Sequence, residues 1–180
     1  MCFNLYRVEK MMRKVLLVDD TVSDRTILRY NFGWYGYTVL EAGNGLEGLE
    51  LASVQRPDLI VSDALMPVMD GYRFLQAVKE DPDLRPIPFI FYSAVYTGRD
   101  EEQLALKMGA MAFIVKPKGR EEFWTELSNA LIPPVQATLA SKPPCLGHAD
   151  FIKEYNQIVA CKLEEKVKEL EAANPSSQET

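Results

Sequence analysis

Four short apolar runs in this chain each stop at a residue able to do chemistry. Val15-Leu16-Leu17-Val18 stops at Asp19-Asp20, Leu59-Ile60-Val61 leads to Asp63, Phe89-Ile90-Phe91-Tyr92 to Ser93, and Ala112-Phe113-Ile114-Val115 to Lys116. Gathered in one place, these residues supply three carboxylates for a hard divalent cation, a hydroxyl, and an ammonium that offsets an incoming anion. Asp63 taken alone reads equally well as a turn residue or as a nucleophile or metal ligand. The company of the other three strand ends favours a site. Asp19 and Asp20 repel each other, so neither is expected to be buried without a cation beside it.

The elements that must position these residues follow from the same runs. Unbroken apolar stretches of this length read as strands buried on both faces, as in a parallel sheet. Such strands end at one common edge, where open α/β sheets bind their ligands. The first strand is read at 14–19, and the first helix at 22–35, with Thr21 and Ser23 as capping candidates and an end near Gly33 or Gly36. A second strand covers Tyr37 to Glu41 and a second helix 45–54, capped by Asn44; Pro57-Asp58 turns the chain into the third strand. The third helix is read at 68–80, stopping before Asp81-Pro82. Strands at 87–92 and 111–115 and helices at 99–108 and 119–131 complete the alternation. The expectation is an α/β fold, a flavodoxin-like doubly wound five-stranded parallel sheet of order 2-1-3-4-5 with right-handed crossovers.

The residues VDD at 18–20, DALMPVMDG at 63–71, Ser93 and Lys116-Pro117, in that order, resemble the receiver domain of two-component response regulators from about Lys14 to Ile132. The resemblance implies that Asp63 is a phosphoacceptor. It also implies that Asp20, Asp63 and the Leu65 carbonyl bind Mg²⁺ directly, with Asp19 acting through water. Ser93 and Lys116 would contact the phosphoryl oxygens, and Pro67, Gly71 and Pro117 would shape the loops. Ser93 and Phe113 would form the switch, Phe113 working by packing alone because it lacks a phenolic hydroxyl. The phosphodonor would be a histidine kinase or phosphotransfer protein on another polypeptide. His148, the only histidine, lies in HADFIKEY, which does not resemble a kinase phosphoacceptor box. Such a chain is not an enzyme beyond self-catalysed phosphotransfer and autodephosphorylation. Two rival readings are a haloacid dehalogenase-like phosphohydrolase and a non-phosphorylated pseudo-receiver. The first expects an acid two places beyond the first-strand Asp, and neither Asp19 nor Asp20 has one. The intact acid, hydroxyl and lysine set argues against the second.

Composition sets the remaining bounds. With 180 residues, 47% of them hydrophobic, the chain can bury one sizeable core and carry an appendage. A net charge of −6, and nothing after Pro133 resembling a basic helix-turn-helix, argue against direct nucleic-acid binding. No apolar run approaches the roughly 18 residues of a membrane span, and residues 1–14 hold no secretory h-region, so a cytoplasmic location is expected. Cys2, Cys145 and Cys161 share no metal-like spacing and read as free thiols. The organisation expected is an N-terminal arm at 1–13, a receiver at 14–132, a stiff linker at 133–147 holding four of the eleven prolines, a helix at 148–173 and a disordered tail at 174–180. Ile152, Tyr155, Val159, Leu163, Val167 and Leu170 give that helix an apolar stripe, interrupted at Lys162 and Lys166. The stripe must meet the chain's own receiver, a second copy or a following domain; it resembles a coiled-coil connector, so a homodimer and a downstream output domain are expected.

Overall fold

The first strand shows how this sequence builds two cores from one sheet. In β1 (Lys14–Val18), successive side chains point to opposite faces. Val15 and Leu17 join Leu59, Val61, Ile90, Tyr92 and Ile114 on one side, closed by Leu28, Phe32, Phe123 and Leu127. Leu16 and Val18 join Ile60, Phe89 and Phe91 on the other, closed by Ala52, Tyr72, Phe74, Leu75, Val78, Leu104 and Ala105. The computed structural model describes residues 13–94, 99–116 and 118–131.

Helices α1 (Val22–Trp34) and α5 (Arg120–Leu131) cover the first face; α2 (Gly45–Gln55), α3 (Gly71–Glu80) and α4 (Arg99–Lys107) cover the second. The strands β2 (Thr38–Ala42), β1, β3 (Leu59–Ser62), β4 (Phe89–Ser93) and β5 (Ala112–Val115) pair in that order, all parallel. The architecture and strand order expected from the alternating pattern are the ones observed. Every residue of β3 and β4 is buried, as continuous apolar runs at the centre of a doubly covered sheet require, while β2 and β5 at the edges are only partly buried.

Most boundaries fall within a residue of expectation; β4 begins at Phe89 rather than 87, and the larger differences are at the cap of α1 and the start of α3. Asn44 caps α2 as anticipated, its side chain accepting from the Glu47 amide. Thr21 occupies the cap position of α1, but its side chain makes no capping hydrogen bond. Helix α3 begins at Gly71 rather than 68, because the Asp70 carboxylate accepts from the Tyr72 and Arg73 amides at 3.0 Å each. The preceding Val68 has φ of 68°, a left-handed conformation that a β-branched residue adopts only under constraint. The N-terminal arm before Arg13, Pro117, the linker, the 148–173 helix and the tail lie outside the described residues, as do Cys2, Cys145, Cys161 and His148. Among the described residues no helix is long and apolar enough to cross a membrane.

Candidate functional site

The strand ends meet at one edge because the sheet hydrogen bonding runs one residue past each strand. The Asp63 amide donates to the Val18 carbonyl at 2.8 Å, and the Lys116 amide to the Ser93 carbonyl at 2.9 Å. Asp19, the first residue beyond β1, continues the parity of Val15 and Leu17 and is 2% exposed. Asp20 points the other way and is exposed. The adjacent acids therefore diverge, and only the one with a cation beside it is buried. That cation is Lys116, whose Nζ lies 2.5 Å from Asp19 Oδ2, 2.8 Å from Asp24 Oδ2 and 3.3 Å from Asp63 Oδ1. The ammonium also sits 5.4 Å from the centre of the Tyr92 ring.

Asp63 is held from several sides. Its Oδ2 accepts from the Leu65 amide at 2.8 Å, and the Ser93 hydroxyl donates to its carboxylate. Its carbonyl accepts from the buried Ser62 hydroxyl at 2.8 Å. The Gly71 amide donates to the Ala64 carbonyl at 3.0 Å, folding the Pro67-containing loop back toward Asp63. Gly71 is required there, since a Cβ would lie only 2.1 Å from the Asp63 carbonyl oxygen. Phe113 lies half-buried on β5, its ring 5.6 Å from that of Phe91.

The electrostatics follow from this packing. Burial is the largest influence on Asp63 and lifts its pKa above the usual carboxylate value. Asp19 pushes the same way, against Lys116, the Leu65 amide and the Ser93 hydroxyl. Burial would lower the pKa of Lys116, but Asp63, Asp19 and Asp24 outweigh it and hold the ammonium charged. Three carboxylates share one ammonium, so the pocket keeps an excess of negative charge.

The structure thus brings Asp19, Asp63, Ser93 and Lys116 together and leaves Asp20 exposed beside them. Among the described residues no three acidic, His or Cys side chains form a ready metal cluster. The donor atoms at hand are all oxygens, the type a hard cation selects. Asp24 is the site residue that reading the sequence missed. It lies in the first turn of α1, where an acid is explained by the helix dipole alone. Its partner Lys116 is 92 residues away, and no local pattern connects them.

The comparisons with known proteins agree with this fold. The model of the response regulator receiver domain matches residues 15–128. The chain is 34% identical over 119 residues to the protein named probable transcriptional regulator ycf27 of Cyanophora paradoxa, an alignment that takes in 66% of this chain and 48% of that protein. The chain spans about half the length of such curated relatives. The chemotaxis response regulator CheY4 of Vibrio cholerae superposes with a TM-score of 0.63 at 34% identity, covering 67% of this chain and 99% of CheY4. A CheX-CheY-BeF3-Mg²⁺ complex from Borrelia burgdorferi superposes at 0.62 with 27% identity, covering 67% of this chain and 90% of that one. Five parallel strands in this order, an acid, hydroxyl and lysine cluster at their ends, and a family match across the whole sheet lead to one conclusion: the chain belongs to the response regulator receiver family of two-component signal transduction.

Proposed function

We propose that Asp63 accepts a phosphoryl group from a phosphohistidine on a separate histidine kinase or phosphotransfer protein. A carboxylate oxygen of Asp63 attacks phosphorus, the bond from phosphorus to the imidazole nitrogen breaks, and the nitrogen keeps the electron pair. An aspartyl phosphate results, a covalent product of the kind carboxylate nucleophiles form. The observation that carries this reading is the position of Lys116 Nζ, 3.3 Å from Asp63 Oδ1 and bonded to two further acids. The ammonium stands where an arriving phosphoryl oxygen would find a cation.

Asp20, Asp63 and the Leu65 carbonyl would hold Mg²⁺, with Asp19 reached through water. Two carboxylates and a carbonyl suffice, because Mg²⁺ keeps several waters and binds phosphate oxygens besides. When bound, the ion offsets the repulsion between a phosphoryl group and this acidic pocket. The Borrelia neighbour, in complex with BeF3 and Mg²⁺, supports the assignment. Ser93 and Lys116 then donate to the phosphoryl oxygens, and Phe113 repacks as the Ser93 hydroxyl turns from carboxylate to phosphate. That is a population shift between two packings, biased by phosphorylation. Pro67 and Gly71 shape the loop that follows Asp63, and the family resemblance gives Pro117 a like role after Lys116. Slow self-catalysed hydrolysis by water returns Asp63 to its free form.

Residues 148–173 would carry the signal onward as a dimerising connector after the linker at 133–147. A downstream output domain fits relatives about twice as long, one of which is named a transcriptional regulator. No part of residues 14–132 is assigned to nucleic acid. Incubation with acetyl phosphate and Mg²⁺ tests the central assignment. One phosphoryl group should be added to the parent chain and none to Asp63→Asn.

A further inference from the structure

An ammonium has three N–H donors, and in this structure Lys116 has three carboxylate partners. The two short contacts go to Asp19 and Asp24, at 2.5 and 2.8 Å; the contact to Asp63, at 3.3 Å, is longer than a good charge-assisted hydrogen bond. In the resting chain the two shortest hydrogen bonds of the lysine thus run to Asp19 and to α1, while its contact with Asp63 is longer. The N–H directed at Asp63 is already loosely held; for Lys116 to swing fully toward a phosphoryl oxygen, one of its two short contacts must also give way.

The two short contacts differ in what letting go would cost. The Asp19 side chain is 3% exposed; its Oδ1 accepts from the Thr21 amide at 2.8 Å, and its carbonyl takes the Arg25 guanidinium at 2.5 Å. Freed from Lys116, its Oδ2 would remain in the interior as an unpaired charge, the costliest outcome for an ion pair. The Asp24 side chain is 34% exposed, and Lys116 is its hydrogen-bond partner. Water can replace the lysine there, and pairs that open to solvent contribute little. Of the two short contacts, the one to Asp24 is the one that can release.

We propose that Asp24 is a positioning residue that holds the Lys116 ammonium toward α1 in the resting chain and yields it to the phosphoryl group, setting how fast Asp63 is phosphorylated. This rests on Asp63 being the phosphoacceptor. Asp19 keeps its bond throughout and acts as the pivot about which the lysine turns. The fixed contact holds the lysine near the site, and the releasable one delays its engagement.

The test is the rate of phosphorylation of the full chain by acetyl phosphate with Mg²⁺, followed by intact-protein mass spectrometry, in the parent, Asp24→Ala, Asp24→Asn and Asp24→Glu. Asp24→Ala should be labelled about two- to fivefold faster, the range a solvent-open ion pair allows. Asp24→Asn should lie between Ala and the parent, because its amide oxygen still accepts one lysine N–H. Asp24→Glu should return the rate to that of the parent. Equal rates in Asn and Ala would reduce the effect to lost charge and overturn the proposal, as would an Ala variant no faster than the parent. The Lys116 ¹⁵Nζ resonance of the unphosphorylated chain gives a second readout, and it should move more in Asp24→Ala than in Asp63→Asn. A smaller movement in Asp24→Ala would also overturn it. A labelled parent with these failures leaves Asp63 standing as acceptor; an unlabelled parent overturns both assignments.

Discussion

Gly71 offers a perturbation in which two well-understood effects predict opposite signs. Gly71 is the first residue of α3, and alanine at a helical position is ordinarily favourable over glycine by about 1 kcal/mol. Here the added Cβ would meet the Asp63 carbonyl oxygen at 2.1 Å, the Phe91 ring at 2.8 Å and the Ala64 Cα at 3.1 Å. Two of these neighbours are backbone, and the third belongs to a ring that is fully buried. None can swing aside as a flexible side chain would, so the loop carrying Asp63 must move. Overpacking of this kind costs about 1–3 kcal/mol, and the overlap with the carbonyl is severe enough to place Gly71→Ala at the upper end. Set against the helix gain, the expected net loss is about 2 kcal/mol. The carbonyl that moves also accepts the Ser62 hydroxyl, so the Asp63 carboxylate shifts with it relative to Lys116. Urea unfolding should therefore show a lower midpoint for Gly71→Ala, and labelling by acetyl phosphate should slow by about tenfold or more, as displacements near an ångström do. A variant as stable as the parent or more stable would mean helix propensity wins, and the close approach argued for Gly71 would be wrong.

The buried acids and their lysine give two further expectations. Burial raises the pKa of Asp63, so the fold favours its protonated form; that stability is fully present below the ordinary carboxylate value of 3.8 and is lost as pH rises through the folded value. Asp63→Asn should therefore be more stable than the parent at pH 7 in metal-free buffer, with the advantage shrinking as pH falls toward 4; an Asn variant less stable at pH 7 would contradict this. Lys116→Ala leaves Asp19 and Asp63 buried without their cation and should cost about 3–5 kcal/mol in urea unfolding at pH 7. Part of that loss should return as pH is lowered and the acids protonate; a loss below about 1 kcal/mol would place the ion cluster among the weak surface pairs.

How far the fold can be read from the chain depends on how local the deciding interactions are. The strands are legible because each is a run of buried apolar residues ended abruptly by a polar one, and short βα connections leave few ways to order them. The start of α3 is not legible in the same way. Val68 and Met69 continue an apolar pattern that fits a helix, yet the Asp70 cap and the left-handed Val68 place them in the loop. Asp19 and Asp20 look alike in sequence, and only the face on which each projects makes one buried and the other exposed. Asp24 could not be found at all. Its local setting is complete without Lys116, and the contact that gives it a role depends on α1 and β5 converging on one edge.

Phosphoryl transfer to this chain rests on Asp63. The most direct measurement is the mass of the intact chain after incubation with acetyl phosphate and Mg²⁺, for the parent and for Asp63→Asn, with acid-quenched peptide mapping of the labelled form. The prediction is one phosphoryl group on the parent, carried by the peptide containing Asp63, and no label on Asp63→Asn. A phosphoryl group retained by Asp63→Asn at the level of the parent would contradict it.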